Sequence, residues 1–171
     1  DSPCQLHLNQ RQGRFTTIEP FGEQASAKGV ASDFDNDGDL DVLLFQGETV
    51  SLYLNNGDAT FVRKLVPTLS EVRSRGNILS GDLDNDGLVD LVTSHEHSIS
   101  LHYNTGSGNF QTFHIDMDKV SGGLGYASMQ LSLGDIDNDG DLDIVGNDYG
   151  ASPFILENRG GEDAHWLEVQ P

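Results

Sequence analysis

Three short runs of this sequence place carboxylates where a hard metal ion would need them. They read Asp33-Phe34-Asp35-Asn36-Asp37-Gly38-Asp39-Leu40-Asp41, Asp82-Leu83-Asp84-Asn85-Asp86-Gly87-Leu88-Val89-Asp90 and Asp135-Ile136-Asp137-Asn138-Asp139-Gly140-Asp141-Leu142-Asp143. Each puts Asp at positions 1, 3, 5 and 9 and Gly at position 6. Residues 1, 3 and 5 can turn their oxygens toward one point, and Gly at 6 permits the sharp bend this requires. The backbone carbonyl of position 7, which is Asp39, Leu88 or Asp141, offers a further oxygen. Asp at position 9 starts the next strand and can bind through both oxygens. Such a set of six or seven oxygens suits calcium and not zinc, while magnesium resists losing its waters.

The loop is not an EF-hand, which needs Glu at position 12; the residues there are Leu44, Thr93 and Gly146, and no helix is predicted on either side. A metal-free polar turn is the alternative. It would crowd the twelve carboxylates of positions 1, 3, 5 and 9 into three small loops without a counter-ion, against their mutual repulsion. The calcium role read here is structural, a rivet between the first two strands of each unit, rather than catalytic or sensing.

The loops begin 49 and 53 residues apart, a spacing typical of propeller blades. A second element repeats in phase with them. Leu52–Gly57 leads to Phe61, Leu101–Gly106 to Phe110, and Ile155–Gly160 to Trp166; Leu6–Asn9, leading to Phe15, is a further copy. Each reads as strand, Asn/Gly turn, strand. A unit therefore runs as an inner strand of small residues (Ala27–Ser32, Gly76–Gly81), the Asp loop, a strongly apolar strand (Val42–Phe45, Leu91–Thr93, Ile144–Val145) and a hairpin. Four short antiparallel strands in about 50 residues describe a propeller blade. The expected fold is all-β: one repeat domain over 1–171, with a leading half-blade at 1–24 and blades at 25–70, 71–120 and 121–171. No helix is predicted, only a Gly-rich connection at Ser121–Gly125. Closed propellers need about four to eight blades, so a longer chain, a homo-oligomer or a filament is expected to complete this one.

The charge balance narrows the partners. Twenty-eight acidic residues against nine basic ones give a net charge of −19. A polyanion such as nucleic acid or an acidic membrane would be repelled. No apolar run approaches the roughly 20 residues of a membrane span. Cys4 has no partner cysteine, and its register matches Val50 and Ile99, so it reads as a small buried hydrophobe, with a functional thiol as the alternative.

Other residues could carry chemistry. His95 and His97 share one face of a strand, with Glu96 pointing away, but further zinc ligands are not evident. Arg63, Lys64, Arg73 and Arg75 could grip an acidic glycan, or could simply be solvated. Tyr126, Tyr149 and Trp166 could stack on sugars, or could pack between blades. There is no Gly-rich phosphate loop and no nucleophile elbow.

The run Asp-x-Asp-x-Asp-Gly-x-x-Asp, an apolar strand, then Leu-x-x-Asn-x-Gly and an aromatic residue, resembles the FG-GAP/VCBS repeats. These are the calcium-binding propeller blades of integrin α chains and many bacterial exported proteins. Over Asn158–Val169 the chain also resembles the passage into the ASPIC/UnbV region of cartilage-acidic-protein-like chains. The first resemblance implies calcium ligands at Asp33, Asp35, Asp37 and Asp41, at Asp82, Asp84, Asp86 and Asp90, and at Asp135, Asp137, Asp139 and Asp143. It implies carbonyl ligands at Asp39, Leu88 and Asp141, hence three calcium sites, and a secreted or cell-surface location. The Phe-Gly and Gly-Ala-Pro signatures are poorly kept, with Gly150-Ala151-Ser152-Pro153 the nearest approach, and no adhesion domain is inserted. The function expected is a non-catalytic module for adhesion, surface display or assembly, with a protein, a glycan or further copies as partner. The alternative is a carbohydrate-active enzyme or lectin domain.

Overall fold

The computed structural model describes residues 4–22, 28–46, 49–69, 76–95, 98–117, 129–147 and 152–160. Every strand pairing among them is antiparallel and joins neighbours in sequence. A two-stranded ribbon comes first, β1 (Leu6–Asn9) with β2 (Phe15–Ile18). A four-stranded sheet follows, β3 (Lys28–Ser32), β4 (Asp41–Gln46), β5 (Thr49–Asn55) and β6 (Phe61–Leu65). A second four-stranded sheet is built from β7 (Ile78–Gly81), β8 (Asp90–His95), β9 (Ser98–Asn104) and β10 (Phe110–Asp116). A three-stranded sheet closes the series with β11 (Gln130–Gly134), β12 (Asp143–Asn147) and β13 (Phe154–Leu156).

The core lies between sheets. Strands β4 and β8 are buried on both faces, because each is covered from both sides. Phe34, Leu43, Phe45, Leu52, Leu69, Leu91 and Phe110 form the cluster that joins the two four-stranded sheets. Leu83, Val92, Ile99, Met129, Leu131 and Ile144 join the second of these to the three-stranded sheet. Phe21, Leu44 and Tyr53, with Cys4, Leu6 and Phe61 against them, seat the ribbon on the first. Fully burying a Leu or Phe side chain stabilises by about 1.5–3 kcal/mol, so these clusters dominate the cohesion of the series. The first strands β3, β7 and β11 run side by side. Ser32 Oγ meets Ser80 Oγ at 2.8 Å, and Asn77 Nδ2 donates to Leu131 O at 3.0 Å. A Cβ on Gly81 would press on Leu142 and Leu133, so small residues on this strand follow from crowding.

The structure extends and corrects the expected elements. The second strands reach Asp41–Gln46, Asp90–His95 and Asp143–Asn147, beyond the apolar cores that marked them. Their ends are held by ladder pairing rather than by hydrophobicity. A 3₁₀ turn, unforeseen, covers Pro67–Leu69 and buries Leu69. The connection at Ser121–Gly125 and the strand expected around Trp166 lie outside the described residues.

Candidate metal centres

Each Asp loop joins the first strand of its sheet to the second. Two residues give the loop its shape. The Asn at position 4 has φ of 60° (Asn36), 57° (Asn85) and 62° (Asn138), and the Gly at position 6 has φ of 96°, 88° and 95° (Gly38, Gly87, Gly140). Gly carries no Cβ penalty in this region, and Asn tolerates it better than most residues. The chain thereby wraps around its own carboxylates. Asp33 accepts from the backbone N–H of Asp37 (3.0 Å) and Gly38 (2.9 Å), and Asp82 from Asp86 (3.1 Å) and Gly87 (2.9 Å). Asp135 accepts from Gly140 at 3.2 Å. The position-5 carboxylates take the position-7 N–H: Asp39 to Asp37 at 2.9 Å, Leu88 to Asp86 at 2.8 Å, Asp141 to Asp139 at 2.9 Å.

Carboxylate oxygens converge as a result. One oxygen each of Asp33, Asp35 and Asp37 lie within 4.8 Å of one another; so do those of Asp82, Asp84 and Asp86, and those of Asp135, Asp137 and Asp143. The position-3 carboxylates bear the strain in all three loops. Asp35 is raised above the usual carboxylate range by burial and then by Asp41, Asp37 and Asp33. Asp84 is raised by burial and then by Asp86, and Asp137 by burial and then by Asp139. Asp35 Oδ1 is buried with no hydrogen-bond partner among the described residues. A buried, unpartnered carboxylate oxygen among like charges is costly. A hard, oxygen-preferring cation would remove that cost, so the residues present fit calcium. It would be held by these Asp triads and would supply positive charge alone.

Position 9 carries a structural bond that sequence reasoning missed. Asp41, Asp90 and Asp143 are all buried. One oxygen of each accepts from the position-2 N–H: Phe34, Leu83 and Ile136, each at 2.9 Å. The other accepts from the hairpin Asn N–H: Asn55 at 2.8 Å, Asn104 at 2.7 Å and Asn158 at 2.9 Å. Each oxygen keeps a second lone pair for a cation. Burial pushes Asp90 up to about 6, against the two N–H bonds that pull it down.

The hairpin Asn side chains couple neighbouring sheets. Asn104 Nδ2 donates to Val89 O of its own sheet (3.1 Å) and to Phe34 O of the preceding loop (2.9 Å). Asn158 Nδ2 repeats this with Leu142 O (3.4 Å) and Leu83 O (2.7 Å). Asn85 Nδ2 reaches Asp141 Oδ1 at 2.7 Å, so the second and third loops also touch directly.

This phased unit of loop and hairpin is what the FG-GAP-like repeat describes, and the family model matches residues 33–93 and 82–146, each match starting on the first Asp of a loop. The chain belongs to the FG-GAP-like repeat family. No curated protein matches its sequence. Among solved structures it is similar to an Agrocybe aegerita lectin described as recognising non-reducing terminal N-acetylglucosamine. The TM-score is 0.69 at 22% identity, over 95% of this chain and 44% of the lectin. It is also similar to part of the Tc holotoxin pore of Photorhabdus luminescens, with a TM-score of 0.67 at 19% identity, over 95% of this chain and 8% of that one. At these identities the likeness is one of fold. This member of the family thus spans less than half of either structure.

The remaining candidates separate. Arg63 donates from Nε and Nη2 to Ser51 Oγ (3.1 and 3.0 Å), and Lys64 Nζ ties the two four-stranded sheets through Ser107 O (2.6 Å) and Asn109 Oδ1 (2.9 Å). Cys4 is half-buried against the ribbon's cluster. His95 ends β8. Glu96, His97, Arg73, Arg75, Tyr126, Tyr149 and Trp166 lie outside the described residues. His102, not singled out by the sequence, is fully buried. Its Nε2 lies 2.9 Å from Thr93 Oγ1 and its Nδ1 2.8 Å from Thr112 Oγ1. Burial, then His114, lowers its pKa to about 4.

Proposed function

We propose that this chain is a calcium-stabilised, non-catalytic binding module that works outside the cell, a run of propeller blades whose Asp loops hold one calcium each. The observation that carries the reading is the convergence of three Asp triads, one of them with a buried, unpartnered oxygen at Asp35. The ions act as rivets at the end of each sheet where loop, hairpin and neighbouring loop meet. Among the described residues no helix is long and apolar enough to cross a membrane. Calorimetric titration of the chelator-treated chain tests this reading. Three calcium ions per chain are expected, and a chain that takes up no calcium refutes it.

The ligand side of the proposal is a protein or a glycan, or further copies of the chain. A glycan is favoured by a polar cavity on one face of the second four-stranded sheet, and by a fold shared with a sugar-recognising lectin. Screening the calcium-loaded chain on immobilised glycans tests the glycan reading. Binding to at least one is expected, and a blank screen removes it. A carbohydrate-active enzyme is the alternative, and turnover of a bound polysaccharide would establish it over the binding module.

A further inference from the structure

We infer that the cavity on the Thr93–His102 face of the second four-stranded sheet is a site for a single neutral sugar ring, an inference that rests on the glycan reading above. The cavity encloses about 560 Å³, within the range of small-molecule pockets. Its wall is one face of the second four-stranded sheet, contributed by Thr93 of β8, Ser100 and His102 of β9, and Thr112 and His114 of β10. Thr68, from the turn after β6, also lines it, and Phe110 adds an aromatic surface.

The chemistry of this wall selects its ligand. No Asp, Glu, Lys or Arg stands among the described lining residues, in a chain whose net charge is −19. A phosphate or an ammonium group would find no opposite charge. A metal is equally unsuited. The groups of three ligating side chains that converge among the described residues are the Asp clusters, and His95, His102 and His114 do not form one. Hydroxyls and imidazole rings remain as the polar groups of the wall.

His102 sets the polarity of two of those hydroxyls. Neutral imidazole has one N–H and one bare nitrogen, and both nitrogens meet a threonine hydroxyl. One threonine therefore accepts from the ring and keeps its own proton to donate. The other donates to the ring and keeps its lone pairs. Thr93 is buried, so a ligand reaches Thr112, which offers its proton in one tautomer and its lone pairs in the other. His114 Nδ1 is held by Ser100 Oγ at 2.8 Å, and its Nε2 has no partner among the described residues. Phe110, packed edge-on to Phe34 with centroids 6.0 Å apart, offers an apolar surface to the C–H face of a ring.

The repeat itself does not produce this cavity. Ladder pairing places Tyr53 at the position of His102, Leu44 at that of Thr93, Arg63 at that of Thr112 and Leu65 at that of His114. In the first four-stranded sheet bulkier side chains occupy the equivalent positions, and Tyr53 and Leu44 are buried. Tyr53 packs on Phe21 at 5.0 Å, its hydroxyl donates to Phe21 O, and Arg63 is bonded to Ser51. In the three-stranded sheet Leu156 takes the place of His102, and the Phe154 ring covers Gly146, which takes the place of Thr93. Among the described sheets the second alone carries small, polar side chains at both the Thr93 and the Thr112 positions.

The test titrates the isotope-labelled, calcium-loaded chain with N-acetylglucosamine, galactose and mannose, following backbone amides by NMR. At least one sugar is expected to shift Thr93, Ser100, Thr112 and His114 together. Thr93→Leu combined with His102→Tyr copies the first sheet's filling and is expected to weaken that sugar at least tenfold while still binding calcium. His114→Leu, a smaller intrusion, should weaken it too and serves if the double variant fails to fold. Glucose 6-phosphate should bind no better than glucose. If the chain binds immobilised glycans but the filled variants bind as tightly as the parent, the cavity is not the site and the glycan reading stands. If no sugar shifts these amides, the inference is wrong whatever the glycan screen shows.

Discussion

The two faces of the second four-stranded sheet solve the same packing problem differently. Toward the three-stranded sheet it presents Val92, Ile99, Leu101, Tyr103 and Ile115, a continuous apolar surface against Leu131 and Ile144. Toward the first four-stranded sheet the same three strands present Thr93, Ser100, His102, Thr112 and His114, with apolar contact confined mainly to Leu91 and Phe110 near the loop end. Strand alternation lets one strand carry both patterns. What the faces share is the loop end, where position-9 Asp, hairpin Asn and the neighbouring loop are bonded alike. The cross-sheet hydrogen bonds common to the second and third repeats are concentrated there, and the remainder of each face differs between repeats.

Removing calcium strikes that shared end and is the largest effect expected. A ligand at 100 times its dissociation constant adds about 2.7 kcal/mol per site, and three sites would rival the roughly 5–15 kcal/mol of an ordinary domain. Excess chelator should lower the melting temperature sharply and raise hydrogen exchange on both faces together. An unchanged melting curve would break the idea of a common metal-held end.

Next in size is Asp90→Ala. It leaves the buried N–H groups of Leu83 and Asn104 without acceptors, and each such loss costs about 1–3 kcal/mol. A loss of about 3–5 kcal/mol by urea denaturation is expected. Asp90→Asn, which keeps one acceptor oxygen, should lose about half as much. Equal losses in the two variants would mean that charge, not these bonds, is what position 9 supplies.

The polar face should respond to mild acid through His102. Its folded pKa, about 4, lies below the unfolded value of 6.5. Between those values the unfolded chain takes up a proton that the folded chain refuses. The contribution to stability is therefore complete above about pH 6.5 and is lost as the pH falls toward 4. One unit is 1.36 kcal/mol, so the full loss is about 3 kcal/mol. Urea melts at pH 7 and pH 5 in saturating calcium should show a fall that His102→Gln reduces. Identical slopes in parent and variant would remove His102 as the source.

The sequence disclosed the loop end far better than the faces. Asp at alternate positions with Gly at 6 announces a turn and a cation because few other roles need that pattern. The phased Asn-Gly hairpins likewise announce the all-β repeat. The cross-sheet bond of Asn104 was not legible, because its partner Phe34 O is 70 residues away and a backbone carbonyl has no sequence signature. Nor was the cavity. His102 and Thr93 look like ordinary strand residues until ladder pairing sets them beside Tyr53 and Leu44, and only that register shows that one face is bulky where the other is small and polar.

The smallest effect separates the sheets by their neighbours. Asn104 and Asn158 each bond a carbonyl of their own sheet and one of the preceding loop, whereas Asn55 bonds Leu40 O at 3.1 Å and has no cross-sheet acceptor among the described residues. A neutral hydrogen bond contributes about 0.5–1.5 kcal/mol net, and an orphaned buried group costs more. Asn104 is buried and Asn55 is not. Asn104→Ala should therefore cost about 2 kcal/mol, Asn158→Ala somewhat less because its bond to Leu142 O is long at 3.4 Å, and Asn55→Ala under about 1 kcal/mol. Urea midpoints for the three variants in saturating calcium give the ranking directly. If Asn55→Ala proves as damaging as Asn104→Ala, Asn55 has a cross-sheet partner of its own. A further Asp loop, from this polypeptide or from a second copy, would then sit against β5 as the first loop sits against β9.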